Sequence, residues 1–366
     1  MAQAQARSRP FPLPDDLTGL LIAAIPRDSL NAAALVCHKF HAVIAGPQFP
    51  TLRQQHGFAE RGIVVVKSDE KSSAIEIRLA SQSDVVTRIP GSYRLRLDTS
   101  TTDGARLFFS GGADANGRED VFVVDVPKTY PFGPIQCRRF TTLPQNGHYV
   151  RGIEWHDGCL YLFGGCDTDG DNGNPGTGFF DSLLVFREAT GLWEQPPPML
   201  QACCEGASAV IGDYLYVAGG LRGFDGPGDA YLSELQIYGF ASQTWRLGAP
   251  IPEGVRGRLP GRAVALNGML YCIRLSAFSC YDPQADAWTV EQTELPWQDM
   301  ARNANWWEHL HIVEAIPHLG RIVVFLSNGA AFERATDGSW SRHEVAEGTI
   351  PDNGYDSMRA ASIPIG

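Results

Sequence analysis

The sequence predicts a mainly β protein that begins with a small all-α segment. The chain of 366 residues contains 39 glycines and 24 prolines, and they are spread along its length. Glycines and prolines distributed in this way are typical of a chain with many short strands joined by turns. Strand-like segments that end in a glycine pair recur about every fifty residues, whereas residues 11–50 show helical periodicity.

Composition and charge exclude several classes of function. The formal net charge is −11 and no tract is rich in Lys or Arg, which argues against a nucleic-acid partner. The most apolar early segment, residues 17–25, is too short to span a bilayer and follows two aspartates, unlike a signal peptide. The eight cysteines include no CxxC pair, so we interpret them as reduced thiols. We therefore expect a protein of the cytoplasm, the nucleus or both, without a membrane partner.

The N-terminal segment predicts two short helices. Residues 1–10 have no periodic pattern and are predicted to be disordered. One helix is predicted from Pro14 to Ile25, because proline suits a first turn and the two aspartates after it favour the positive helix end. A second is predicted from Asp28 or Ser29 to Gly46, which gives a compact helical hairpin.

The same segment carries a family pattern, the run LPDDLTGLLIAAIPRDSLNAAALVCHKFHAVI. It resembles an F-box over residues 11–50, with Phe40 where that family usually has tryptophan. The resemblance implies docking on a Skp-type adaptor through Leu13, Pro14, Leu17, Leu21, Ile25, Pro26, Leu30, Leu35, Val36, Cys37 and Phe40. The alternative is a helical cap that packs on the downstream domain.

Residues 51–61 predict a linker helix, and residues 62–366 predict a repeated sheet domain. Glycine pairs end the segments RLFFSGG, CLYLFGG and YLYVAGG. An aromatic residue followed by tryptophan recurs at Phe186…Trp193, Tyr238…Trp245, Tyr281…Trp288 and Phe332…Trp340. This pattern resembles the kelch repeat, and six units fit the chain. The expected fold is mainly β, a six-bladed kelch-type β-propeller preceded by a small all-α F-box, with the C-terminal strand 358–366 completing the first blade.

Candidate metal and catalytic motifs are weak. Three alternating aspartates at 167, 169 and 171 match part of a calcium loop, but Asn172 and Gly178 occupy its glycine and glutamate positions. His309 and His311 share a face without a third ligand. Propellers related to galactose oxidase are copper enzymes, but no convincing ligand set or secretion signal is present. We expect no metal, no cofactor and no catalytic residue.

Recognition by loops is the remaining prediction. In kelch propellers, partners usually dock on loops that follow the second strand of a blade and on loops that join blades. Arginine, tyrosine and tryptophan dominate binding hot spots. An arginine that precedes a first strand either rings the channel mouth or bonds carbonyls between blades, and we keep both readings. The candidate residues are His148, Tyr149, Arg151, Asp169, Asp171, Arg222, Arg258, Arg262, Arg302 and Trp306.

The combination of an F-box with kelch repeats is similar to the plant-type F-box/kelch proteins. That resemblance implies the substrate receptor of an SCF (cullin-RING) ubiquitin ligase, with a Skp-type adaptor, a cullin bound through it, and a target protein as partners. The alternatives are a kelch scaffold without a ligase role and, with less support, a copper enzyme similar to galactose oxidase.

Overall fold

The structure is a computed structural model. It describes residues 15–25, 27–56, 61–69, 74–79, 87–90, 99–113, 119–125, 135–144, 152–168, 175–222, 231–253, 261–291, 294–298, 300, 310–345 and 358–364. The chain divides into two compact units. The first comprises residues 1–61, 126–134 and 364–366, and the second comprises residues 62–125 and 135–363.

The described residues of the first unit, here called the head, form four short helices. They are α1 (Asp15–Ala23), α2 (Arg27–Ala34), α3 (His38–Ile44) and α4 (Phe49–Gln55). Helices of this length are marginal in isolation, so their stability depends on a shared apolar core. That core is formed by buried Ile22, Ala23, Leu30, Ala34, Ile44 and Phe49.

The predicted second helix is divided in two, which corrects the expected hairpin. The Leu35 and Val36 amides donate to carbonyls three residues earlier, and this tighter turn ends α2. Cys37 is extended, with φ −164° and ψ 165°, and precedes the first turn of α3. No glycine or proline marks this break. The apolar periodicity continues through it, and the sequence therefore predicted a single helix where α2 and α3 are separate.

Helix α4 is part of the head rather than a linker. Arg53 is 1% exposed and donates to the Ala23 carbonyl at 2.6 Å and to the Ile25 carbonyl. It therefore satisfies carbonyls left unpaired at the end of α1. The head core includes Phe49, and Leu52 of the same helix packs against it.

The second unit is built of sheets. Its described residues form six four-stranded sheets and one two-stranded sheet. In sheet order, the four-stranded sheets are β26-β1-β2-β3 (Met358–Pro364, Arg61–Asp69, Ala74–Leu79, Thr87–Pro90), β4-β5-β6-β7 (Thr99–Thr102, Leu107–Ala113, Glu119–Asp125, Gln136–Thr142), β8-β9-β12-β13 (Gly152–His156, Cys159–Phe163, Leu183–Arg187, Leu192–Glu194), β14-β15-β16-β17 (Ala207–Ile211, Tyr214–Ala218, Leu235–Gly239, Thr244–Leu247), β18-β19-β20-β21 (Arg262–Leu266, Met269–Ile273, Phe278–Asp282, Ala287–Val290) and β22-β23-β24-β25 (Ile312–His318, Arg321–Leu326, Ala331–Arg334, Trp340–Arg342).

The sheets are the blades of a β-propeller. The first strands β4, β8, β14, β18 and β22 contact one another in this order and are therefore the innermost strands of their blades. The sheet that contains β1 packs on the sheet that contains β22 through Val65, Val323, Phe325 and Met358. Its edge strand is β26, so the last strand of the chain is hydrogen-bonded to β1.

Two glycine pairs end the second strands β9 and β15. Gly164 and Gly219 have φ of 63° and 66°, and Gly165 and Gly220 have φ of 104° and 106°. A Cβ on Gly164 would lie 2.3 Å from the Cys203 carbonyl oxygen. Glycine is therefore required there both by the backbone conformation and by close approach of the next blade.

Three of the four recurring aromatic and tryptophan pairs are cross-strand neighbours, whereas Trp340 lies opposite Arg334 and not opposite Phe332. In three blades the two residues face each other across the outer strand pair, with ring centroids 5.1 to 5.2 Å apart. Each indole N–H also donates to a carbonyl of the preceding blade. The bonds are Trp193 to Thr142 (3.1 Å), Trp245 to Pro197 (3.2 Å) and Trp288 to Ala249 (2.9 Å). The repeat thus joins each of these blades to its predecessor.

We predict that Trp288→Phe lowers the thermal stability more than Trp340→Phe. Trp288 loses a hydrogen bond that joins two blades, which costs about 1 kcal/mol. The Trp340 indole nitrogen is buried without a hydrogen-bond partner among the described residues, so its loss leaves no carbonyl unpaired. Thermal unfolding monitored by circular dichroism measures both variants. Equal destabilisation would show that the indole bond does not join the blades.

Candidate functional site: the loops and the centre of the propeller

Most of the predicted docking residues lie outside the described residues. Of the ten candidates, the structure describes Arg222 and Arg262. Arg222 is exposed and follows Leu221, which bridges to Cys204. The candidates outside the described residues are His148, Tyr149, Arg151, Asp169, Asp171, Arg258, Arg302 and Trp306.

The acidic segment after β9 is partly a hairpin. Strands β10 (Cys166–Thr168) and β11 (Pro175–Phe179) pair antiparallel, with Cys166 opposite Phe179. Cys166 is buried in a small cluster with Cys204 and Leu221, against which Phe179 packs. The base of the loop is therefore anchored to the following blade.

Arg262 joins blades. Its Nε donates to the Val313 carbonyl of the neighbouring innermost strand at 3.0 Å and lies 3.6 Å from a Glu314 carboxylate oxygen. Of the two readings of an arginine before a first strand, the geometry at this position favours the structural one. The prediction that Arg262 binds a partner rested on residue type alone. An arginine that binds a partner and an arginine that bonds to a neighbouring blade cannot be told apart in the sequence.

Two glutamates on innermost strands, which sequence reasoning missed, occupy the centre. Glu154 of β8 accepts hydrogen bonds from Thr101 of β4 at 3.2 Å and from Ser208 of β14 at 2.7 Å. One carboxylate therefore joins three consecutive blades. The available signal was a single acidic residue in the otherwise apolar and aromatic strand GIEWH.

Glu314 makes the corresponding links on the other side. It is 7% exposed and accepts a hydrogen bond from Ser100 of β4 at 3.1 Å. The Arg359 Nε of β26 lies 3.9 Å from the same oxygen, Oε2, and the Arg262 Nε of β18 lies 3.6 Å from the other oxygen, Oε1. A buried carboxylate is tolerated only when it is paired, and two guanidinium groups meet that need. Its signal was again one acidic residue in an apolar strand, IVEAI.

Burial shifts the acidity of Glu154. Removal of its carboxyl from bulk water raises the pKa to about 7, although the bonds from Ser208 and Thr101 lower it, and the charge of Glu314 raises it further. Burial also raises the pKa of Glu205, partly offset by Arg262. The centre therefore offers hydrogen bonding, charge pairing and one carboxyl that titrates near neutral pH.

The described cysteines are free thiols, and most are buried. Burial raises the pKa of Cys203 and of Cys272 to about 12, so both are protonated at neutral pH. Within the described ranges, no three His, Cys, Asp or Glu side chains gather closely enough to hold a metal ion. Of the two histidines weighed as metal ligands, His309 lies outside these ranges.

The head places its predicted adaptor residues in three environments. Leu30 is buried, and Ile25 and Phe40 pack against the head core. Leu21, Leu35, Val36 and Cys37 are exposed, the first three by 58%, 81% and 69%. Leu13, Pro14 and Pro26 lie outside the described residues, and of Leu17 only the helical backbone is described. Among the described helices, none is both long and apolar enough to cross a bilayer.

We predict that the change in stability caused by Glu154→Gln is more favourable at pH 8 than at pH 5. The folded carboxyl holds its proton up to about pH 7, whereas in the unfolded chain it ionises near its usual value, so stability falls as pH rises between the two. Glutamine removes this pH dependence. The difference in free energy of unfolding between the variant and the unaltered chain is therefore about 2 kcal/mol more favourable to the variant at pH 8 than at pH 5. Thermal unfolding at both pH values measures it.

Glu188→Gln is the matched control. A hydrogen bond from Arg106 lowers the pKa of Glu188, so this carboxylate is ionised at both pH values. Its substitution shifts stability by the same amount at pH 5 and pH 8. A pH-independent effect of Glu154→Gln as well would contradict the raised pKa.

Comparisons with known proteins support the fold. No family model matches the sequence. The chain is 29% identical over 142 residues to the kelch-like protein terF of Aspergillus terreus, and this stretch covers 36% of the chain and 29% of that protein. The chain thus matches less than a third of the length of this relative. The solved structure of YjhT aligns with a TM-score of 0.54 at 11% identity, over 69% of this chain and 84% of that one, a likeness of fold alone. Together the comparisons support a kelch-repeat protein with a β-propeller fold.

Proposed function

We propose that this chain is the substrate-binding subunit of an SCF ubiquitin ligase. The head binds a Skp-type adaptor, which connects it to a cullin, and the propeller binds a target protein in the cytoplasm or nucleus. The chain supplies no covalent chemistry in this proposal. It acts by proximity, since binding raises the effective concentration of target lysines near the charged conjugating enzyme.

The exposed apolar residues of the head carry this proposal. Leu35 and Val36 lie together at the break between α2 and α3, exposed by 81% and 69%, and Leu21 of α1 is 58% exposed. The head already has an apolar core of its own, so these residues are not needed to form it. Adjacent exposed apolar side chains favour a protein partner, and the F-box resemblance places all three at adaptor-contact positions.

The propeller supports the second half of the proposal. Similarity to a kelch-like protein favours a propeller that binds protein. In the proposed arrangement the six four-stranded sheets are the six blades of one closed ring, with the loops after the second strands facing the target. The hairpin β10–β11 is the base of the longest of these loops, and the sequence between its two strands includes Asp169 and Asp171.

We predict that the double substitution Leu35→Ser/Val36→Ser abolishes capture of a purified Skp-type adaptor by the full chain. Both side chains are mostly exposed, so the change removes an apolar contact surface, worth about 1.5 kcal/mol or more per buried side chain, while leaving thermal stability unchanged. A pull-down with quantified bound adaptor measures the loss, and thermal unfolding verifies the fold.

Leu319→Ser is the matched control, because Leu319 is 67% exposed on the propeller and lies far from the head in sequence. This variant must capture adaptor as the unaltered chain does. Failure of the unaltered chain to bind adaptor would contradict the ligase role and leave a kelch scaffold as the function.

A further inference from the structure

A cavity lies between two neighbouring blades, away from the predicted docking loops. Its volume is about 420 Å³. It is lined by residues at the β8–β9 and β14–β15 turns and around the β12–β13 and β16–β17 turns. In antiparallel blades these turns are at the end opposite the loops that follow β9 and β15. The cavity is therefore separate from the proposed target-binding face.

Aromatic rings form one wall of the cavity. Phe240 stacks on His156 with ring centroids 3.8 Å apart, and the Tyr161 ring lies 4.8 Å from Phe240. Tyr238 meets Phe240 edge to face at 5.9 Å. These rings come from both blades, so their positions are fixed by the inter-blade core to which Tyr161 and Tyr238 belong.

Two tyrosines in this wall bring hydroxyl groups to the cavity. Tyr161 is 8% exposed and Tyr238 is 1% exposed, and both line the cavity. Within the described ranges, neither hydroxyl makes a hydrogen bond. Neither hydroxyl is among the fully buried atoms without a partner, so both are open to the cavity. The cavity therefore presents two hydroxyl groups available to a ligand.

Charges around the cavity are mostly negative. Asp157, Glu194 and Asp213 line it together with one guanidinium, that of Arg187. Arg187 is already engaged, since its Nε lies 2.6 Å from a Glu194 carboxylate oxygen and it also approaches the Cys159 sulfur at 3.6 Å. Three carboxylates against one arginine leave a net negative lining, which favours a cation.

We propose that this cavity binds an organic cation of the guanidinium or ammonium class. The carboxylates balance its charge, the aromatic wall contacts it, and the hydroxyls of Tyr161 and Tyr238 accept its N–H groups. The source is either a free amine or an arginine or lysine side chain of a protein. This inference does not depend on the ligase role, because it concerns neither the head nor the docking loops.

Calorimetric titration of the full chain tests the proposal with three small molecules. Agmatine represents a free guanidinium, N-acetylarginine amide represents an arginine within a protein, and N-acetylcitrulline amide is an uncharged isostere of the second. We expect agmatine or N-acetylarginine amide to bind, and the citrulline compound to bind at least about tenfold more weakly. Binding of agmatine without the arginine amide identifies a free amine as the source, and binding of the arginine amide identifies a protein side chain.

Two variants locate the binding in the cavity. Tyr161→Phe removes a hydroxyl without a described partner, so thermal stability holds while affinity falls about fivefold. Glu194→Gln removes a carboxylate and frees Arg187, so affinity falls about tenfold or more. Tyr216→Phe is the matched control, because Tyr216 occupies the corresponding position of β15 in the next blade and is not among the residues that line this cavity.

Three results would overturn the proposal. The first is that neither guanidinium compound binds at 10 mM, which is about a hundredfold above the Kd of a site of moderate affinity. The second is that the citrulline compound binds as tightly as the arginine amide. The third is that the affinity is unchanged in both Tyr161→Phe and Glu194→Gln. Loss of affinity in Tyr216→Phe to the same extent as in Tyr161→Phe would also count against this location.

Discussion

The pairing of two central carboxylates with neighbouring innermost strands is the interaction on which the propeller depends. Glu154 joins β4, β8 and β14, and Glu314 joins β4, β18, β22 and β26. The innermost strands β4, β8, β14, β18 and β22, and the edge strand β26, are thus linked through hydroxyls and guanidinium groups at the centre. Apolar packing between blades is non-directional, whereas hydrogen bonds and ion pairs require defined geometry. These polar contacts therefore determine which strands lie next to one another. Their cost is desolvation, which is visible in the raised pKa of Glu154.

Contacts at the outer strands complement the central ones. The indole bonds of Trp193, Trp245 and Trp288 tie the outer strand of a blade to its predecessor, while the glycine pairs allow the next blade to approach closely. A blade held at both its inner and outer edges leaves its loops and turns free to vary. Under the two proposals made above, the ends of the blades serve different ligands, a protein at one and an organic cation at the other.

Local features of the sequence predicted much of the fold. Glycine pairs and aromatic residues seven positions before tryptophan report turn geometry and cross-strand contact, both set by nearby residues. The break at Cys37 was missed because apolar periodicity continues through it. The partners of Glu154 lie about fifty residues away on either side, so no local pattern identifies them. The cavity at Tyr161 was missed for the same reason, since two blades build it.

Hydrogen–deuterium exchange of the full chain, with and without a purified Skp-type adaptor, tests the central claim most directly. The account predicts slower exchange in residues 30–44, where exposed Leu35 and Val36 separate α2 from α3, and unchanged exchange in the blade strands. Adaptor-dependent protection confined to the propeller, or no protection anywhere, would contradict it.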